Sequence, residues 1–399
     1  MIFNIFKILI KSKIILQSPL ETDLIIFDNV SINELKHILK NRSYFVLKSR
    51  PDKIDTIYIS PKIIYFFLIY FRGNLSTAYQ ASLIRILRPK IVITFIDNSF
   101  KFFDLARIFR NKITFLAIQN AARYDIVLHK HEYKKGIRRS DLTRSFFIPN
   151  FLCLGRYEIK HYKKHKINVE TFQPVGSLRL ANFIRYINKN KIKLSKKKYD
   201  ICLISEATLN SDEIYKINGF DDGFVQVLKH TIKFCKNYNK KFIFVIKRQN
   251  KQPYKSEMGF YKKYLTSGEY SYLVKNSMKR NEKKFSSYFG MASSKVVIGT
   301  MSTMLREKLS LRGKILVCNF TDSNIFDFPL KNFFFLKKKN YFFLKKKLQQ
   351  ILLMTEYSFF KKLRNKKNYI IEDYKKTNTI KKINKILDYH LKSIEIFTN

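Results

Sequence analysis

Cysteine is scarce in this chain of 399 residues, which has only four: Cys153, Cys202, Cys235 and Cys318. None pairs at CxxC spacing, and no Cys or His pattern has the spacing expected of a zinc site. Three of the four stand inside apolar runs. The pattern predicts buried free thiols in a reducing compartment and no bound metal.

Long apolar runs are also lacking. The first sixteen residues are apolar but interrupted by three lysines, and the run at 58–71 carries Pro61 and Lys62. Both are too short to cross a bilayer as a helix, which takes ~20 apolar residues. No small-residue cleavage site follows the first run, so a secretory signal is not expected. We expect a cytoplasmic protein, with peripheral contact to the inner membrane left open.

Acidic residues are few, with 30 Asp and Glu against 78 Lys and Arg, which gives a net charge of +48. A field of this sign favours an anionic partner, such as nucleic acid, an anionic membrane surface or a phosphorylated substrate. The absence of Trp and the low Gly content offer a second explanation, because a compositional bias would enrich Lys everywhere. No RNP, KH, helix-turn-helix or zinc-finger pattern is present, so no specific nucleic-acid partner is expected.

Apolar runs alternate with helical patterns along the chain. The run at 91–96 is continuous, as expected of a parallel strand buried on both faces, and another strand follows at 113–118. In the second half, strands are predicted at 201–205, 242–246, 271–274, 295–298 and 315–319. Alternation at this pitch predicts an α/β protein with two doubly wound parallel sheets.

The charged stretch 188–198 has no core pattern and is the predicted linker. It separates an N-terminal α/β domain, residues 1–187, from a second one, residues 199–330, and a ligand cleft is expected between them. Residues 331–399 are predicted to form a basic helical C-terminal extension, with twelve Lys and Arg against one acid between 331 and 369. Its cationic face has two interpretations, a membrane or partner surface and an ordinary solvated surface.

The most informative segment is 295–319, which has the pattern of a strand, a loop, a helix and a second strand. The helix begins on Ser302 and Thr303, whose hydroxyls suit a phosphate together with the unpaired N–H groups of a helix N-terminus. Glu307 stands one turn further on the same face and is a candidate to bind ribose hydroxyls. The alternative is a capped helix with an exposed Glu. The functional interpretation predicts that Glu307→Ala weakens nucleotide binding and leaves the fold intact.

Two groups are candidate general bases on an acceptor hydroxyl. Asp97, followed by Asn98, ends a central strand of the first domain, although it is equally placed to cap the next helix. His131 stands with His129 and Glu132 in a polar, basic loop at 119–145, where a solvated loop is the alternative.

Further polar groups end strands on both sides of the expected cleft. Gln119, Asn120 and Arg123 follow the strand at 113–118, and the Arg123 guanidinium suits a phosphate or carboxylate. Lys247 and Arg248 end a second-domain strand, as do Ser205 and Glu206. The cations can stabilise a departing nucleotide phosphate. Since no DxD pair stands at a strand end, no metal is expected in the reaction.

The segment VVIGTMSTMLREKLSLRGK at 296–314 resembles the donor-site motif of GT-B-fold proteins of bacterial surface-carbohydrate biosynthesis. That group includes lipopolysaccharide and capsule glycosyltransferases and is related in fold to the CDP-glycerol glycerophosphotransferases. The matching positions are Ser302, Thr303, Glu307, Gly313 and Lys314. The stretches 93–123 and 174–183 are similar to the family's N-domain strand pair and to its Gly-Ser-x-Arg turn.

The resemblance implies two Rossmann-like domains facing a cleft, with a nucleotide-sugar in the second and an acceptor in the first. It implies that Arg179, beside Ser177 in the turn, reaches the donor phosphates, and that a basic residue at the strand end of Lys247 and Arg248 faces them. Ala121 departs from the family pattern, in which Gly follows Gln-Asn, and its methyl group restricts the backbone.

We therefore expect a metal-independent GT-B-like glycosyltransferase that uses no cofactor besides its nucleotide-sugar co-substrate. Its acceptor would be a glycan or lipid-linked glycan of lipopolysaccharide or capsule, handled near an anionic membrane surface. Four alternatives stay open: a polyol-phosphate transferase or a sugar-nucleotide epimerase on the same fold, a basic nucleic-acid-binding protein, and an inactive scaffold.

Overall fold

Two six-stranded parallel sheets organise the molecule. The computed structural model describes residues 10–125, 146–194, 197–209, 213–248, 250–281, 284–363 and 367–392. The first sheet contains, in spatial order, β3 (Phe45–Leu47), β2 (Leu24–Phe27), β5 (Ile91–Thr94), β6 (Thr114–Ile118), β7 (Phe147–Cys153) and β8 (Asn168–Pro174). The second contains β11 (Ser277–Met278), β10 (Phe242–Val245), β9 (Tyr199–Ile204), β12 (Ser294–Gly299), β13 (Lys314–Cys318) and β14 (Phe335–Leu336). A small separate sheet pairs β1 (Lys13–Ile15) with β4 (Thr56–Tyr58).

Helices connect successive strands in both halves. Those of the first half are α1 (Ile32–Leu35), α2 (Pro61–Tyr70), α3 (Leu75–Leu87), α4 (Phe100–Ile108), α5 (Tyr157–Lys164) and α6 (Leu178–Lys189). The second half has α7 (Glu213–Ile217), α8 (Phe220–Asn237), α9 (Lys251–Tyr264), α10 (Ser267–Lys275), α11 (Ser286–Ala292) and α12 (Thr303–Ser310). Four more follow: α13 (Tyr341–Leu353), α14 (Glu356–Lys362), α15 (Lys367–Ile370) and α16 (Thr379–Lys392). The predicted α/β class with parallel sheets is confirmed.

The continuous apolar runs form the strands that are buried on both faces. All four residues of β5 are buried, as are Val296, Val297 and Ile298 in β12. Helices packed on both faces of a parallel sheet leave no solvated side, so neither strand alternates polar and apolar residues.

One predicted strand is wrong. Residues 271–274 lie inside α10, and the strand of that unit is the two-residue β11 that follows it. The helix begins with a capping box, in which Thr266 accepts from the Glu269 N–H and the Glu269 carboxylate accepts from the Thr266 N–H. This cap satisfies helix N–H groups reciprocally and outweighs the short apolar pattern of Leu273 and Val274.

The described residues after 330 pack on the two sheets and do not form a separate extension. β14 pairs with β13, and Leu344 and Leu348 of α13 lie in the core of the second domain. The chain then returns to the first domain, where Ile383 and Leu387 of α16 pack in the cluster that contains Ile91 and Ile93. The basic segment therefore closes both cores with its apolar face. In the described ranges, no helix is long and apolar enough to cross a membrane.

Lys308 is a buried cation in the second domain and makes folding stability depend on pH. Its ammonium donates to the carbonyls of Met291 and Ser294, at 2.9 and 2.7 Å. Burial, with a smaller effect from Lys197, lowers the pKa of Lys308 from 10.5 to about 7. The unfolded chain therefore binds a proton between pH 7 and 10.5 that the native protein does not, so this group makes stability rise with pH across that window.

We predict that Lys308→Met removes this pH dependence. Between pH 7.5 and 9.5, the free energy of unfolding should rise by up to ~1.4 kcal/mol per pH unit more in the wild type than in the variant, which is the full linkage value for one proton. Urea unfolding at both pH values measures the difference. Parallel pH profiles for the two proteins would show that Lys308 is charged in the native state.

Candidate functional site

The two sheets each reverse their strand order once, which places a crevice at the carboxyl edge. In the second sheet the reversal lies between β9 and β12, and in the first between β2 and β5. Ligands of open α/β sheets bind outside the carboxyl ends of strands at such a point. The loops that follow β9 and β12 are therefore the first place to look for a ligand site.

Glu206 connects those two loops. Its carboxylate accepts from the backbone N–H groups of Thr300 and Met301, each at 2.8 Å, beside the N-terminus of α12. Burial raises the pKa of Glu206 although these bonds oppose the shift. Gly299 is required for this approach, because a Cβ there would lie 2.4 Å from the Glu206 carboxylate. Two backbone N–H groups in the loop where the sequence predicted a phosphate are therefore hydrogen-bonded to a carboxylate of the protein itself.

Lys247 follows β10 and faces this crevice. Its pKa is lowered by surrounding protein atoms and by Arg248, although the side chain remains open to solvent. None of the described residues accepts a hydrogen bond from its ammonium, whose charge acts on Glu206. Arg248, in contrast, lies 3.6 Å from the buried Glu257 carboxylate and donates to the Ala207 carbonyl. Of the two predicted cations, Lys247 has the more available charge.

Ser302 and Thr303 both have protein partners. The Ser302 hydroxyl caps α12 by accepting from the Met304 N–H at 3.2 Å. The Thr303 hydroxyl accepts from the Ala122 N–H at 2.8 Å, which joins the second domain to the first. Ala122 follows Ala121, so the loop that departs from the family pattern is the one that touches α12.

Glu307 is buried rather than exposed at the crevice. Its Oε1 accepts from the Ser177 hydroxyl and, at 2.9 Å, from the Tyr288 hydroxyl. Burial raises the pKa of Glu307, and the Ser177 bond opposes the rise. The residue expected to bind ribose therefore ties α12 to the turn that begins α6, with Ser177 also capping that helix.

Glu307→Ala should affect stability as well as binding, which corrects the expectation that the fold would be untouched. The change leaves the buried Ser177 hydroxyl and the partly buried Tyr288 hydroxyl without this acceptor, at a cost of ~1–3 kcal/mol. Urea unfolding measures this cost. Glu307→Gln, which keeps an acceptor oxygen, is the matched control and should retain more stability; equal loss in both would show that the acceptor role is unimportant.

Asp97 and Arg123 pair with each other. Asp97 is buried, and its carboxylate accepts from Arg123 Nε at 3.1 Å and from the Asn120 N–H at 3.2 Å. Arg123 also donates to the Asn120 side chain at 2.8 Å. Asp97 caps no helix, since Ser99 is the N-cap of α4. The pair fixes the loop after β6, because the Asp97 carboxylate accepts hydrogen bonds from both the Arg123 guanidinium and the Asn120 backbone.

The other predicted residues have different surroundings. Asn98 is exposed, whereas Gln119 is buried and accepts from the Leu154 N–H. Arg179 lies 3.3 Å from the Glu34 carboxylate and over the Phe95 ring. His131 lies outside the described residues.

A fully buried charge pair between the domains was not predicted from the sequence. Arg306 of α12 and Glu158 of α5 are fully buried, with Nη1 and Oε1 2.5 Å apart. The guanidinium also lies over the rings of Tyr124 and Tyr157, at 5.1 and 5.2 Å. Only the placement of two charged residues on apolar helix faces signals this pair in the sequence.

A cluster of metal-ligand type lies outside the residues singled out from the sequence. His161 and His165 stand four residues apart on α5 and approach Asp125. The HxxxH spacing was missed because its third member lies 36 residues earlier in the chain.

Comparison with known proteins gives the architecture a name. No protein-family model matches the chain, and no curated protein is similar at sequence level. Similar solved structures include UDP-GlcNAc 2-epimerase from Neisseria meningitidis, with a TM-score of 0.52, 13% identity, and coverage of 94% of this chain and 99% of that chain. S. aureus MnaA has a TM-score of 0.52 and 12% identity, with coverage of 95% of this chain and 98% of that chain. A variant of the wall teichoic acid polymerase TagF has a TM-score of 0.51 and 10% identity, with coverage of 93% of this chain and 89% of that chain. At these identities the likeness concerns the fold alone, and that fold is of the GT-B type.

Proposed function

We propose that this protein is a glycosyltransferase that moves a sugar from a nucleotide-sugar to a surface glycan of the lipopolysaccharide or capsule type. One observation carries the proposal: Lys247 and the N-terminus of α12 converge at the strand-order reversal of the second sheet. A cation that has no hydrogen-bond acceptor among the described residues and lies beside helix N–H groups is suited to a nucleotide diphosphate.

The donor would bind along the second sheet's carboxyl edge. Lys247 would stabilise the charge that develops on the departing diphosphate, and this role needs no metal ion. The backbone around Ser302 and Thr303 would contact phosphate oxygens. Glu307 and Ser177 would be positioning residues, because the hydrogen bond between them holds α12 in place beside α6. Arg179 and Arg248, each held by a carboxylate, would add to the positive potential.

The acceptor would lie against the first domain. The Asp97–Arg123 pair holds Asn120 in place and leaves Asn98 exposed beside it. We assign these groups, with Gln119 behind them, to shaping the acceptor surface. Deprotonation of the acceptor remains assigned to Asp97 or His131.

Two related activities have support from the comparisons. The structures of similar fold include a UDP-GlcNAc 2-epimerase bound to UDP-GlcNAc, S. aureus MnaA with UDP, and a teichoic acid polymerase. All three activities use a substrate that contains a nucleoside diphosphate, and they differ in the leaving group and in the acceptor. The donor half of the proposal is common to them.

Product analysis separates the three. A transferase releases nucleotide only when an acceptor is present, and the labelled sugar appears in the acceptor. An epimerase converts one sugar nucleotide into another without releasing nucleotide, and a polyol-phosphate transferase releases nucleoside monophosphate. Labelled UDP-, CMP-, CDP- and GDP-linked donors, incubated with and without membrane extract, test the proposal. Epimer formation without acceptor would overturn transfer, and no turnover of any donor would overturn an enzymatic role.

A lipid-linked acceptor would bring the enzyme to a membrane, and α2 supplies a suitable surface. The helix is almost wholly apolar, yet only Ile63 is buried. Its exposed side chains are Ile64, Tyr65, Leu68 and Ile69, with Phe71 beyond its end. Lys62 and Arg72 flank them and would meet anionic headgroups at ~1 kcal/mol each. The apolar side chains would enter the acyl boundary.

Leu68→Glu should weaken binding to vesicles that contain anionic lipid by at least ~10-fold, because a buried leucine contributes ~1.5–3 kcal/mol and a carboxylate is repelled. Flotation with full-length protein measures it. Leu353→Glu is the control, since Leu353 is 86% exposed at the end of α13 within the basic C-terminal segment. If Leu353→Glu weakens binding and Leu68→Glu does not, the C-terminal segment is the membrane surface instead.

A further inference from the structure

The cluster of Asp125, His161 and His165 lies at the carboxyl side of the first domain, next to the interdomain charge pair. His165 Nε2 is 2.9 Å from Asp125 Oδ1, and His161 Nδ1 is 3.5 Å from the same oxygen. One ligand atom from each residue lies within 4.8 Å of the others. Two imidazoles at i and i+4 on a helix face the same side, so a cation can contact both.

These spacings match the size of a zinc site. Zinc–nitrogen and zinc–oxygen bonds of ~2.0–2.1 Å in tetrahedral geometry put neighbouring ligand atoms ~3.3 Å apart. The two distances to Asp125 Oδ1 bracket that value. Magnesium and calcium prefer oxygen ligands, whereas a set of two imidazoles and one carboxylate suits zinc.

His161 is the most buried member of the cluster, with 2% of its surface exposed. Its Nε2 is buried and has no hydrogen-bond partner among the described residues.

Two neighbours compete with a metal, and neither blocks it. The Tyr157 hydroxyl lies 3.0 Å from His161 Nδ1 and would lose that contact on metal binding. Lys164 lies 3.1 Å from Asp125 Oδ2, the other carboxylate oxygen, and is itself exposed. The Asp125 side chain is 28% exposed, so the cluster is not closed off from solvent.

We propose that Asp125, His161 and His165 form a zinc site that is separate from the sugar-nucleotide site. The same helix carries Glu158, so a bound ion would hold Asp125 against the helix that pairs with Arg306. The site is structural: it fixes Asp125, in the segment after β6, against α5, and it takes no part in sugar transfer. This inference does not depend on the proposed function.

Zinc retention tests the site directly. Untagged full-length protein is stripped with chelator, dialysed against zinc alone, and its metal content is measured. The wild type should retain one equivalent, and His161→Gln and His165→Gln should each lose it. His230→Gln is the matched control, because His230 interacts with the Lys339 carbonyl on another surface and should leave retention unchanged.

Cobalt substitution of the wild type is independent of how the variants fold. A four-coordinate cobalt site gives an intense visible absorption that zinc should displace, and zinc should raise the melting temperature of the wild type. Absence of both effects in the wild type would overturn the proposal. Retention of one equivalent by His161→Gln and His165→Gln would also overturn it, because the ion would then lie elsewhere.

Discussion

Arg306→Met is expected to destabilise the protein by ~3–5 kcal/mol, because it leaves the Glu158 carboxylate buried without its partner. Both side chains are fully buried where α12 meets α5. Burial already raises the pKa of Glu158, with Arg306 opposing the rise. Without Arg306 the carboxyl would protonate more readily in the native state, so the loss should shrink as the pH falls from 8 to 5. Urea unfolding at both pH values measures it.

The double variant Glu158→Gln/Arg306→Met separates lost charge from lost packing. It removes both charges and should recover a large part of the stability, since replacing a whole buried pair is often neutral. The double-mutant cycle then gives the coupling between the two groups. If the single change costs less than ~1 kcal/mol, as an exposed pair would, the pair is not buried in solution and the domains do not close as described.

Lys247→Met is expected to lower the turnover of a sugar-nucleotide donor by ~10²–10³-fold, the usual cost of removing one group that stabilises charge in the transition state. The methionine keeps most of the apolar stem, so the fold should be unaffected. Lys247 has no acceptor among the described residues, unlike Arg248, whose guanidinium Glu257 holds. Steady-state kinetics with the donor found by product analysis give the effect.

Lys241→Met is the matched control for that change. Lys241 is exposed and precedes β10, whereas Lys247 follows it, so the two lysines mark opposite ends of one strand. The control removes the same charge from the same sheet and should keep wild-type turnover. Equal losses in both variants would mean that net charge, and not the position of Lys247, determines activity.

The strands and the two-domain arrangement follow from local pattern, because burial on both faces demands continuous apolar runs such as 91–94 and 296–298. The strand ends of Asp97, Glu206 and Lys247 were likewise placed correctly along the chain. A position at a strand end predicts the edge of the sheet where a residue lies, but not the residue that its side chain contacts. Asp97 meets Arg123 and Glu206 meets the loop after β12, and neither pairing leaves a local signal.

Long-range contacts also determine the surroundings that the local sequence pattern does not reveal. Glu307 was expected at the ligand, yet its acceptor oxygen is taken by Ser177, 130 residues earlier. The HxxxH pair on α5 acquires a carboxylate only when the loop after β6 returns beside it. The C-terminal helices have an apolar stripe that predicts packing, but not that α16 packs on the first domain while α13 packs on the second.

The net charge of +48 leaves a rival account, in which the cations bind nucleic acid instead of a sugar nucleotide. That account predicts affinity for DNA or RNA that falls steeply with salt and is spread over many lysines. The present one predicts a single site in which one lysine dominates. The two accounts differ in the predicted number of binding sites per chain and in the predicted effect of Lys247→Met on ligand affinity.

Calorimetric titration of the full-length protein with UDP-, CMP-, CDP- and GDP-sugars tests the central claim most directly. We predict saturable binding of at least one of them at one site per chain, lost or strongly weakened in Lys247→Met and preserved in Lys241→Met. Binding of none of the four, or binding that Lys247→Met leaves unchanged, would contradict a sugar-nucleotide site at the carboxyl edge of the second sheet.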